Sequence, residues 1–80
     1  MVIQVLGSGC TKCNDLYDNA RIAVDALPQG GHTVAKVDDV DVFVRLGVMV
    51  TPALVLDDEV VSTGRVLSVE EIGRLIADRL

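Results

Sequence analysis

The sequence predicts an α/β fold of order βαβαββα, a mixed four-stranded sheet flanked by helices, in one domain spanning residues 1–80. Three observations carry that prediction. Apolar, β-branched runs at Val2-Ile3-Gln4-Val5-Leu6 and His32-Thr33-Val34-Ala35-Lys36-Val37 enclose a segment with helical spacing, which makes a parallel βαβ unit. Two further runs flank the acidic turn Asp57-Asp58-Glu59, which makes an antiparallel hairpin. The set Ser68-Val69-Glu70-Glu71 is a capping box that opens a last amphipathic segment.

Taken in order, the first strand ends at Leu6, and from Thr11 to Leu27 the residues Leu16, Tyr17, Ala20, Ala23, Val24 and Leu27 share one helical face. Asn14, Asp15, Asp18, Asn19, Arg21 and Asp25 take the other face, and Pro28 with Gly30-Gly31 stops the helix and turns the chain. The second strand runs from His32 to Val37. Between Asp38 and Val50, valines and Leu46 alternate with period two, yet helical signals compete. Asp38 is placed to cap, Val40, Phe43 and Val44 share a helical face, and Gly47 is a stop, so a short helix from about Asp39 to Leu46 is expected. Ala53-Leu54-Val55-Leu56 and Val60-Val61-Ser62-Thr63 form the hairpin. In the final helix Leu67 and Ile72 are placed as a hydrophobic staple, and Ile72, Leu75, Ile76 and Leu80 mark the buried face.

Composition narrows the function. Half of the 80 residues are hydrophobic, with fifteen valines and four isoleucines but only Tyr17 and Phe43 as aromatics, so the core is aliphatic. A net charge of −5 excludes a nucleic-acid or anionic-membrane surface, which needs clustered Lys and Arg to neutralise phosphate. No apolar run reaches the ~20 residues that span a bilayer. Met1 leads directly into a strand-like run with no basic region, apolar stretch or cleavage site before it, so the expected location is cytoplasmic; separately, a monomer is expected. In a reducing compartment a lone CxxC is not a structural staple.

The chemistry concentrates in Gly7-Ser8-Gly9-Cys10-Thr11-Lys12-Cys13, which holds both cysteines of the chain where the first strand hands over to the first helix. Unpaired N–H groups and positive partial charge at a helix start favour an anion, and a thiolate is one. Cys10 lies at that start with Lys12 inside the motif and glycines leaving its sulfur open to a partner; its pKa is expected to be low. Cys13, one turn further in, is placed to resolve a mixed disulfide on Cys10. Two thiolates can also begin a metal site. A closed zinc site needs four ligands, and the one imidazole, His32, lies far along the chain, but a soft-metal (copper or zinc) binding or carrier protein using the same two thiolates stays open as the alternative function. Tyr17 reads as a core residue, Arg65 as a solvated charge, and the acidic turn lacks the ligand spacing of a calcium loop.

On the Gly-x-Gly-Cys-x-Lys-Cys motif, the segment Val50-Thr51-Pro52-Ala53 before the hairpin, and the order of elements, the chain resembles thioredoxin-fold proteins of glutaredoxin size, in particular the small redox-active disulfide proteins of archaea and bacteria. That resemblance implies a thioredoxin-like fold and a thiol–disulfide oxidoreductase whose catalytic pair is Cys10 and Cys13. It implies no cofactor beyond the redox-active Cys10–Cys13 disulfide itself. The proline before the third strand is cis in such proteins and faces the cysteines, which assigns the cis bond to Thr51-Pro52. The substrate-contacting residues are then Gly9, Thr11, Lys12, Thr51 and Pro52, with the backbone of Thr51 pairing with an extended substrate chain. Partners implied are disulfide-containing proteins or small molecules, and a reductase or low-molecular-weight thiol as electron donor. Thioredoxins proper carry Trp-Cys-Gly-Pro-Cys where this chain has Gly9-Cys10-Thr11-Lys12-Cys13, and Gly64-Arg65 only partly matches the Gly-Gly pair that holds glutathione in glutaredoxins.

Overall fold

Alternation along the central strands divides the molecule into two cores. In the computed structural model, which describes residues 1–80, β1 (Val2–Leu6), α1 (Thr11–Ala26), β2 (Thr33–Val37), α2 (Val40–Leu46), β3 (Ala53–Leu56), β4 (Glu59–Thr63) and α3 (Val69–Ala77) follow in the expected βαβαββα order. The sheet order is β2-β1-β3-β4, with β1 parallel to β2 and antiparallel to β3, and β3 antiparallel to β4. Side chains of a strand point alternately to opposite faces. Ile3 and Val5 of β1, with Leu54 and Leu56 of β3, therefore pack on one face against Leu16, Ala20 and Ala23 of α1, Leu67, and Ile72 and Ile76 of α3. Leu6, Ala53 and Val55 pack on the other, with Val48 and the partly buried Val42, Phe43 and Leu46 around α2. Helices α1 and α3 thus cover one face and α2 the other.

Register places the site. Leu6 is level with Val37 of β2 and with Ala53 of β3, so the chain leaves β1 at the level where β3 begins. Gly7 N–H still donates to Val37 O at 2.9 Å, which extends β1's tie to β2 by one bond before the turn.

Several local expectations are corrected. For the segment after β2 the helical reading wins over the period-two pattern, but its cap is Asp39, whose Oδ1 accepts from Asp41 N at 2.9 Å, and not Asp38. Asp39 is the residue with extended backbone next to the first helical turn, which is where a capping side chain reaches the free N–H groups. Gly47 ends α2 in the left-handed region at φ 73, as a C-terminal glycine does. The inward face is Val42, Phe43 and Leu46, whereas Val40 and Val44 are 66% and 74% exposed. The hairpin turn is two residues, Asp57 and Asp58, both with positive φ, and Glu59 already belongs to β4. Such primed turns match strand twist, and Asp tolerates them. Asp57 Oδ1 also accepts from Val2 N at 2.7 Å and ties the turn to the start of β1.

At the last helix the capping box forms as expected: Glu71 N donates to Ser68 Oγ, and Ser68 N to Glu71 Oε1, both at 3.1 Å. Leu67 and Ile72 are buried together. Leu80 is 58% exposed because α3 ends at Ala77, before the turn that would carry Leu80 to the core. Arg65 is solvated as expected, its side chain 62% exposed, and its Nη2 donates to Glu71 Oε2 at 3.1 Å, an exposed pair worth little by itself. The Ser68 backbone N–H first, then Arg65, holds the Glu71 carboxyl below its ordinary range. No helix is long and apolar enough to cross a membrane.

Candidate functional site

Cys10 caps α1. Its backbone is extended, its C=O accepts from Asn14 N at 3.0 Å, and its Sγ accepts from Cys13 N at 3.2 Å, where a serine or aspartate oxygen commonly sits. The turn that delivers it requires Gly9, whose φ of 64 side-chain-bearing residues rarely adopt. Cys10 is exposed and Cys13 is buried, and both are free thiols with their sulfurs 2.6 Å apart.

Environment gives the two thiols opposite acidities. The Cys13 thiol donating to Cys10 Sγ is the main influence holding Cys10 below the ordinary cysteine range; the Cys13 backbone N–H adds to it, and the Lys12 backbone N–H contributes less. Lys12 therefore acts through its peptide group. Its ammonium is exposed, and the expected help from its charge is not among the influences that lower the Cys10 thiol. Burial is the main cause pushing the Cys13 thiol up, followed by its hydrogen bond to Cys10. Alkylation rates read cysteine by cysteine against pH are expected to give a midpoint for Cys10 below the ~8.5 of a free cysteine and one for Cys13 above it. For stability the two thiols act oppositely: the depressed Cys10 pKa favours the fold at high pH and loses that contribution as pH falls through the folded value, whereas the raised Cys13 pKa favours the protonated fold and costs stability as pH rises above the unfolded value. Peptide mapping after brief iodoacetamide treatment reads both midpoints.

The remaining predicted residues gather at this end of the sheet. Thr11 and Lys12 are exposed in the first turn of α1. Pro52 is buried, Thr51 is exposed, and the peptide between them is cis. Pro52 O accepts from Gly64 N at 2.8 Å, fastening the start of β3 to the end of β4. Neither backbone polar group of Thr51 has a partner within the chain. Tyr17 is half-buried against the core, with Lys36 Nζ 4.9 Å from its ring centroid and donating to Asn14 Oδ1 at 2.8 Å. His32 precedes Thr33, which is level with Val2, so it lies at the opposite end of β1 from the cysteines. No group of three or more His, Cys, Asp or Glu side chains is arranged to hold a metal ion.

Gly7 has a role that its sequence does not disclose. Read as a flank that keeps the Cys10 sulfur open, it instead packs against Cys13: a Cβ on Gly7 would overlap Cys13 Sγ and lie 3.1 Å from Cys13 Cβ and 3.8 Å from Thr51 Cβ. Only its position one residue past a central strand hints at this.

A fold of this order, with two thiols of opposed acidity at the passage from its first strand into its first helix, is that of the thioredoxin-like thiol–disulfide oxidoreductases. Residues 1–77 match the family model described as thioredoxin domain, and the chain belongs to that family. It is 43% identical over 72 residues to a thioredoxin of Methanocaldococcus jannaschii, covering 90% of this chain and 81% of that protein. Over 77 residues it is 36% identical to a thioredoxin of Methanothermobacter thermautotrophicus, covering 96% and 99%. The chain is accordingly a thiol–disulfide oxidoreductase, and proteins of this class act on disulfide substrates with a reductase.

Proposed function

We propose that the protein reduces disulfides in proteins or small molecules with Cys10 as nucleophile and Cys13 as resolving thiol. The observation that carries this reading is the opposed acidity of the two thiols, one exposed at a helix cap and one buried behind it. The Cys10 thiolate attacks one substrate sulfur; a bond from Cys10 to that sulfur forms, the substrate S–S bond breaks, and the other sulfur leaves as a thiolate and takes a proton. Cys13 then gives up its proton and attacks Cys10 Sγ. The Cys10–Cys13 disulfide forms, the second substrate sulfur departs, and two electrons have passed from the dithiol to the substrate. A reductase or low-molecular-weight thiol returns the pair to the dithiol, with no cofactor beyond the disulfide itself.

An extended substrate segment lies along Gly9, Thr11, Lys12, Thr51 and Pro52 in this reading. The exposed, unpaired backbone of Thr51 supports it, since a strand-like chain beside Thr51 would satisfy those groups. The protein works as a monomeric single domain in the cytoplasm, with neither nucleic acid nor membrane as partner. Reduction of insulin by dithiothreitol is the test: catalytic amounts of the protein are expected to shorten the lag before the freed chain precipitates. An unchanged lag at equimolar protein would reject the reading.

A further inference from the structure

We infer that Gly7 is the positioning residue for the resolving step, holding open the slot in which the Cys13 sulfur faces Cys10. The inference rests on the assignment of Cys13 as resolving thiol. Three observations meet at Gly7. It is buried, with its N–H fixed to Val37 O at the end of the sheet, so its backbone has little freedom to retreat. Its φ lies outside the left-handed region, so an alanine there is opposed by contact and not by backbone conformation. The contact is with one group: a Cβ would overlap Cys13 Sγ, with Cys13 Cβ and Thr51 Cβ next nearest.

Cys13 has equally little room elsewhere. Its backbone is held in the first turn of α1, where its own N–H donates to Cys10 Sγ. A methyl group at position 7 therefore acts on the sulfur, which must rotate away from Cys10, or on the first turn of α1, which must lift. Either movement lengthens the path along which Cys13 attacks Cys10 Sγ and weakens the thiol donation that lowers the Cys10 pKa. The first step of the reaction needs only Cys10 and an open approach. The second needs the Cys13 sulfur in line with the Cys10–substrate bond, and misplacement by about 1 Å can cost on the order of 100-fold in rate.

The test is single-turnover reaction with a neutral disulfide-linked peptide, quenched with acid and read by intact mass. Wild type is expected to pass through the Cys10 adduct to the closed Cys10–Cys13 disulfide. Gly7→Ala is expected to accumulate the adduct, with closure slowed by about 10–100-fold, and to show a Cys10 alkylation midpoint moved upward. In a Cys13→Gly background, where both the sulfur and the Cβ that Gly7 faces are gone, adding Gly7→Ala should leave both the Cys10 attack rate and its midpoint as they are in Cys13→Gly alone. A general loosening of the fold would move them in both backgrounds. If Gly7→Ala proves too unstable to assay, a drop in thermal midpoint that disappears when Gly7→Ala is added to Cys13→Gly supports the same overlap, and a drop undiminished in that background overturns it. Closure at the wild-type rate in Gly7→Ala also overturns the role of Gly7 while leaving the resolving role of Cys13 intact. Wild type that never closes the disulfide would instead defeat the parent assignment.

Discussion

The Cys13→Ser protein, mixed with a disulfide-linked peptide, is expected to accumulate a stable adduct on Cys10, and the Cys10→Ser protein is expected to remain unmodified over the same interval. The asymmetry follows from burial and acidity together. Cys10 is exposed at the helix cap and its thiolate is favoured, whereas Cys13 is buried and its thiolate disfavoured, so a disulfide in solution meets one nucleophile and not the other. Once Cys10 is joined to substrate, only a second thiol can release it, and serine at position 13 is no substitute because its hydroxyl stays protonated near neutral pH. The serine still offers a donor to the Cys10 sulfur, so the first step keeps most of its speed in Cys13→Ser. Two symmetric metal-binding thiolates predict equal damage from either substitution. Intact-mass analysis after mixing gives the adduct, and digestion locates it.

The second large effect is on stability. Leu54→Ala is expected to cost about 2–5 kcal/mol, as removal of a fully enclosed leucine does when the cavity cannot collapse. Leu54 is completely buried on β3 and packs into the core beneath α1 and α3. A native domain is stable by roughly 0.05–0.15 kcal/mol per residue, about 4–12 kcal/mol for 80 residues, so a loss of that size removes a large share of the stability. Val44→Ala is the control: at 74% exposed on α2 it should shift stability by no more than about 0.5 kcal/mol. Urea unfolding followed by far-ultraviolet circular dichroism separates the two. Equal midpoints would show that the core does not lie where β3 places it.

Most of this architecture was legible because it depends on local rules that leave a mark in sequence. The Ser68 to Glu71 capping box, the apolar face through Leu16, Ala20 and Ala23, and the two cysteines after a strand all answer to spacing within a few residues. Where tertiary packing chooses between two local solutions, the signal weakened. Alternating valines from Val40 to Val50 suited a strand as well as a helix, and within the helix it is the position of Val42, Phe43 and Leu46 over Leu6 and Val55 that decides which valines are buried. Leu80 fitted a helical stripe, but nothing local records that α3 stops at Ala77.

The site divides the same way. That Cys10 would be the more acidic thiol could be argued from its place at a helix start, but the largest influence on it is the Cys13 thiol, and Lys12 enters through its peptide N–H, a distinction that only geometry supplies. Gly7 is the clearest case. Its meaning lies in a contact with Cys13 six residues away and with Thr51 across the sheet, and a glycine before a CxxC looks the same whether it opens a sulfur to solvent or makes room for one inside.

The central claim, that Cys10 and Cys13 act in sequence on one substrate disulfide, is tested most directly by the fate of the wild-type protein after reaction with one equivalent of a neutral disulfide under strictly metal-free conditions. Intact mass, thiol titration and peptide mapping at successive times give the result. The account predicts a transient adduct confined to Cys10, followed by a protein with no free thiol and no adduct, its two cysteines joined to each other and two substrate thiols released. A persistent adduct on Cys13, or a protein that keeps two free thiols while the disulfide stays unreduced, would contradict it.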